Sequence, residues 1–145
     1  MKKLDVYKKE YDALHIKANL SGKTALDAVK QNAFNLQYVI NQTEEMCLIA
    51  VRNNGLNLQF VHKQTPEICL EAVTSYSDSL RYVKEQTEEI CLAAVKNDGY
   101  ALQYVIEQTE EICLAAVKQN GYALQFVKED LFYKNHKKLI EGLED

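Results

Sequence analysis

Residues 86–107 read QTEEICLAAVKNDGYALQYVIE, and residues 108–129 read QTEEICLAAVKQNGYALQFVKE. The same frame fits residues 42–63 and 64–85, so Thr43, Thr65, Thr87 and Thr109 recur every 22 residues, as do Cys47, Cys69, Cys91 and Cys113. A degraded copy at 21–41 keeps Ala25, Leu26, Ala28, Val29, Leu36, Tyr38 and Val39 in register. Self-similarity at a short fixed period is the mark of a repeat architecture.

Each unit spells two short helices. Thr87 is an N-cap, and Glu88 and Glu89 follow where the helix dipole favours carboxylates. In the second regular copy Pro66 takes the first helical position. Ile90, Cys91, Leu92, Ala94 and Val95 form a broad apolar face. Asn97-Asp98-Gly99 stops this helix, with the glycine expected in a left-handed cap and Asp98 placed to open the next helix. Tyr100 to Glu107 then reads as a second helix, with Leu102, Tyr104 and Val105 inward and Gln103 and Glu107 outward. Helices of this length are marginal alone, so neighbouring units must cover their apolar faces.

Two other architectures share such a period. A leucine-rich horseshoe needs an LxxLxL strand, whereas YALQYV carries Ala and Gln, which favour helix. One continuous amphipathic helix would spread its apolar positions almost all the way round, and the Asn/Asp-Gly break would have no purpose. The expected fold is all-α: an α-solenoid of stacked helical hairpins in one repeat domain. Residues 1–20 read as an N-terminal cap helix (Leu4, Tyr7, Tyr11, Leu14 and Ala18 on one face), 21–41 as the degraded repeat, 42–129 as four regular repeats and 130–145 as a C-terminal cap helix.

The strings EICLAAVKNDGYALQYV and EICLAAVKQNGYALQFV resemble the short repeats of a family of unknown function found in bacterial, protist and giant-virus proteins. The resemblance is strong over residues 43 to about 128 and weak over 21–41. It implies a helical repeat and no activity. The segment Tyr76-Ser77-Asp78-Ser79 departs from the pattern.

Composition narrows the class. Hydrophobic residues at 47% exclude a disordered chain, and a single proline with five glycines leaves no flexible linker. No apolar run reaches the ~18 residues of a membrane span, and no apolar stretch follows the N-terminal lysines as in a signal peptide. The expected location is cytoplasmic. Equivalent cysteines on packed helices lie roughly 8–10 Å apart, beyond the ~7 Å Cα limit for a disulfide. Their spacing also lacks a zinc pattern. They read as buried, reduced thiols.

Little points to chemistry. His15, His62 and His136 are scattered, and no catalytic or nucleotide-binding motif is present. Neither an enzyme, a cofactor nor a metal is expected. The Glu pairs at the helix starts are explained by the dipole, although stacked they form an acidic ridge. The pairs Gln37-Tyr38, Gln59-Phe60, Arg81-Tyr82, Gln103-Tyr104 and Gln125-Phe126 are reminiscent of helical repeats that read one RNA base each, but the net charge of −4 opposes phosphate binding. Outward positions vary over a fixed frame, as binding surfaces of solenoids do. Ile49, Leu56, Arg81, Tyr100, Gln103, Ile106, Tyr122 and Gln125 are therefore the expected contacts of a protein partner. The chain reads as a non-enzymatic scaffold or adaptor. An acidic inhibitor of viral or mobile-element origin, filling a basic groove on a host nuclease or defence protein, is the alternative, and single-stranded RNA binding the third reading. Exposed isoleucines and open solenoid ends also leave room for self-association.

Overall fold

The computed structural model describes residues 23–144. The expected N-terminal cap helix lies outside the described residues. Five α-helices each lead into a six-residue 3-10 helix: α1 (Lys23–Gln31) and η1 (Ala33–Tyr38), α2 (Glu44–Asn53) and η2 (Gly55–Phe60), α3 (Pro66–Ser75) and η3 (Ser77–Tyr82), α4 (Glu88–Asn97) and η4 (Gly99–Tyr104), α5 (Glu110–Gln119) and η5 (Gly121–Phe126). A longer helix, α6 (Glu129–Glu144), follows. Successive α-helices pack on one another, as do successive 3-10 helices, which makes an all-α solenoid.

Capping drives the alternation. The Thr87 hydroxyl accepts a hydrogen bond from Ile90 N at 3.3 Å, satisfying a first-turn amide that has no partner inside the helix. At the other end Asp98 turns extended (φ −148°, ψ 116°) while its N–H still reaches Ala94 O. Its carboxylate accepts from Tyr100 N at 3.0 Å and so opens η4. One residue closes one helix and starts the next. Asn32, Asn54 and Asn120 do the same, whereas Tyr76 offers no side-chain cap.

The second helix of each pair differs from the sequence expectation. It is 3-10, starts at Gly99 and ends at Tyr104, closed by Ala101 N to Asp98 O and Val105 N to Leu102 O. A period of three puts Gly99, Leu102 and Val105 on one buried face. Tyr104, expected inward at the α period, is half-buried instead.

The glycine is not in a left-handed cap. Gly99 is the first residue of η4, and its reason is proximity: a Cβ there would lie 2.5 Å from Ala116 O on the next helix. At Gly55 the clash with Ala72 O would be 2.1 Å. The equivalent positions in the first and third units are Ala33 and Ser77, which do carry a Cβ. Accordingly η2–η3 and η4–η5 touch more extensively than η1–η2 and η3–η4. Close and looser junctions alternate along the stack.

The third unit also buries two hydroxyls, Ser77 Oγ and Ser79 Oγ, with no protein partner. The next two units place Ala101 and Ala123 where Ser79 stands, all three fully buried. Ser79→Ala is expected to raise the unfolding free energy by about 1 kcal/mol by removing an unsatisfied hydroxyl. A urea titration reads this as a higher midpoint with an unchanged slope.

Candidate functional site

A recurrent glutamine ties the start of each regular unit to the end of its own 3-10 helix. Gln86 Nε2 donates to Tyr104 O at 2.8 Å and Leu80 O at 3.3 Å, while Oε1 accepts from Ile106 N at 2.9 Å. Cys91 Sγ also points at Oε1, 3.5 Å away. Gln42, Gln64 and Gln108 repeat the pattern, accepting from His62 N, Lys84 N and Lys128 N and donating to Phe60 O, Tyr82 O and Phe126 O. One planar amide thereby satisfies the backbone that leaves each 3-10 helix, 18 to 20 residues away. This glutamine spine escaped the sequence reading, although the recurrence of Gln at the head of every regular unit was its signal.

The spine organises the outward side of the 3-10 helices. Tyr38, Phe60, Tyr82, Tyr104 and Phe126, half-buried, occupy the same turn of each 3-10 helix. Phe34 meets Phe60 edge-on at 6.2 Å, and Tyr100 meets Phe126 likewise at 5.8 Å. In both pairs the second residue of one 3-10 helix leans on the aromatic of the next unit. In the middle of the row the Arg81 guanidinium lies 5.1 Å from the Tyr82 ring centre and 5.8 Å from that of Tyr104, a cation-π bridge between units. Gln59, Gln103 and Gln125 are exposed and donate to the carbonyls of Leu56, Tyr100 and Tyr122 in their own helices.

Six of the eight expected contact residues thus share one face: Leu56, Arg81, Tyr100, Gln103, Tyr122 and Gln125 all lie on 3-10 helices. Tyr100 is half-buried through its ring contact, and Tyr122 is 75% exposed. Ile49 and Ile106 stand apart. Ile49 is on α2, half-buried and packed against the core. Ile106 lies beyond η4 and walls a groove of about 400 Å³ with Gln86, Thr87, Cys91 and Thr109. The second-helix row was legible because outward positions vary between copies. The ring-to-ring pairing was not, because it joins residues 26 apart in the chain.

The acidic ridge is partly tied down. Thr65 Oγ1 and Thr109 Oγ1 donate to Glu44 and Glu88 of the preceding units, and Glu110 pairs with Lys138. Among the described residues no group of three His, Cys, Asp or Glu side chains could hold a metal ion. No helix among them is long and apolar enough to cross a membrane.

All four cysteines are buried and none is in a disulfide. Burial pushes the Cys47, Cys91 and Cys113 thiols up to about 11 and raises that of Cys69 as well. A raised folded-state value means that the folded chain holds these protons longer than the unfolded one. The associated stability is complete below the ordinary thiol range and is lost as pH rises through about 9 to 11. Urea midpoints should therefore fall across that window, and less steeply in Cys91→Ala.

Fold and face together define an α-solenoid of short helical repeats with a variable outer row. More particularly, the chain belongs to the family described as Domain of unknown function (DUF4116), whose profile matches residues 43–86 and 87–132, more than half of the chain. No curated protein and no solved structure matches it. The two matched segments begin at Thr43 and Thr87, the N-caps of α2 and α4. The first spans two hairpins around the glycine-closed η2–η3 junction, and the second does so around η4–η5.

Proposed function

We propose that this chain is a non-enzymatic adaptor that binds another protein along the face of its 3-10 helices. The observation that carries the reading is the row of half-buried aromatics at one turn of each 3-10 helix, beside a neighbour that changes from unit to unit: Phe34, Leu56, Asp78, Tyr100, Tyr122. Rigid rings on a fixed frame give contact area at low entropic cost, and the changing neighbours supply specificity. Arg81 at the centre adds the one cation of the row, a residue type enriched at binding hot spots.

Affinity purification from the native host with the wild-type chain and with Arg81→Glu and Tyr100→Ala tests this. The expected result is one captured protein that both variants lose while circular dichroism stays unchanged. Capture that survives both variants but disappears with Glu88→Gln and Glu111→Gln, and weakens steeply with salt, would instead support the acidic inhibitor.

A further inference from the structure

Three grooves run in register along the edge where the α-helices begin, one at each junction between regular units, and hold about 460, 300 and 400 Å³ in chain order. In the first and third, a threonine of the later unit is tied to a carboxylate of the earlier one. Thr65 Oγ1 donates to Glu44 Oε1 and Thr109 Oγ1 to Glu88 Oε1, both at 3.3 Å. Each glutamate is the first residue of its α-helix. Glu110, first in α5, is met by the Lys138 ammonium instead.

The middle groove breaks this rule. Pro66 opens α3 and supplies no carboxylate, so the Thr87 hydroxyl accepts from Ile90 N but donates to no acceptor among the described residues. The walls carry His62, Lys63 and Lys84 against one carboxylate, Glu85. Neither lysine is in an ion pair with another described residue. The third groove, by contrast, has Glu88 and Glu107 on its walls and no cation. The first shares His62 and Lys63 but holds Glu44 as well.

We infer that the middle groove binds the side-chain carboxylate of an acidic residue on an extended segment of another protein. That carboxylate accepts from the Thr87 hydroxyl, as Glu44 accepts from Thr65 and Glu88 from Thr109, and pairs with Lys84 and Lys63. The equivalent threonines thus show the chemistry within the chain itself, and the surplus positive charge at this one junction selects an anion from outside. The row of grooves favours an extended segment over a free acid. Packed helices lie roughly 8–10 Å apart, about the length of three residues of extended chain, so a segment seated at the middle groove reaches both neighbours. Neither Arg81 nor Tyr100 lines this groove, and the inference does not depend on the adaptor reading of the 3-10 face.

NMR amide shifts of the whole isotope-labelled chain test it, as a blocked Gly-Ser peptide with one central glutamate is added to about 20 mM at low salt. Saturable shifts centred on Thr87 and Lys84 are expected, with a Kd of about 1 mM, and binding about tenfold weaker for the same peptide with glutamine. Acetate should need about tenfold higher concentration for the same shifts. Pro66→Glu gives α3 the first residue that α2, α4 and α5 already have, so it should fold as they do and abolish the shifts. Pro66→Ala should bind as the wild type does, and Lys84→Gln about tenfold more weakly. Should Pro66→Glu disturb α3, Lys84→Gln still decides. Glutamate and glutamine peptides that bind alike, acetate that matches the peptide, binding retained in Pro66→Glu or unchanged in Lys84→Gln, or no saturable shift at all would overturn the inference.

Discussion

Gln86→Ala is expected to lower the unfolding free energy by about 3 kcal/mol, a large share of what a domain of this size has. The truncation strands Tyr104 O and Ile106 N, both bonded to the Gln86 amide at under 3 Å, and removes the weaker bond to Leu80 O. Leaving a buried backbone group unpaired costs about 1–3 kcal/mol, and part of that is recovered here because water reaches the neighbouring groove. Gln86→Glu should be no better. It keeps an acceptor for Ile106 N but turns the donor into a charged oxygen facing two carbonyls. Thermal and urea denaturation of both variants measure this. If Gln86→Glu were as stable as wild type, the donor half of the spine would be irrelevant. Gln103→Ala, which removes only a bond within η4, should change stability by less than about 0.5 kcal/mol.

Gly55→Ala is expected to be comparably damaging, at about 3 kcal/mol. Its new methyl would sit 2.1 Å from Ala72 O, a backbone atom in the middle of α3 that has no soft route aside. Overpacking against backbone typically costs about 1–3 kcal/mol, and a contact this short belongs at the upper end. The comparison that isolates the cause is Ser77→Ala. That position already carries a Cβ at a looser junction and has an unpartnered hydroxyl to lose, so the change should be neutral or mildly stabilising. Glycine at η2 and η4 is thus a matter of clearance between units. Entropy alone would make Gly→Ala favourable.

The helical pairing was legible because both of its causes are local. Thr at the N-cap, Glu in the first turn and Asp98 before Gly99 can each be read within five residues. Their hydrogen bonds appear as those residue types predict. The kind of second helix was less legible. YALQYV has the composition of an α-helix, and only the cap at Asp98 and the bonds to Gln86 confine it to six residues, where the three-residue period wins. The role of Gly99 was misread for a related reason. Its obstacle is Ala116 O, 17 residues away, and no local pattern reports a contact across units. The same holds for the Arg81 bridge to Tyr104, and the spine's bonds, although within one unit, still join residues 18 to 20 apart. The outward row of the 3-10 helices was singled out through the variation of its positions between copies. Ile49 and Ile106 were grouped with it because variation alone does not say which face of the stack a position occupies.

Backbone amides at the turn after each 3-10 helix give the most direct test of the glutamine spine that closes each unit. His62, Lys84, Ile106 and Lys128 all have exposed side chains, yet each amide donates to the glutamine that heads its own unit's first helix. Hydrogen exchange followed by NMR should find these four protected by about a thousandfold or more, close to the core of the stack, and should find the Ile106 amide released in Gln86→Ala. Exchange of the four at the rates of open chain in the wild type would contradict the glutamine-bonded stack.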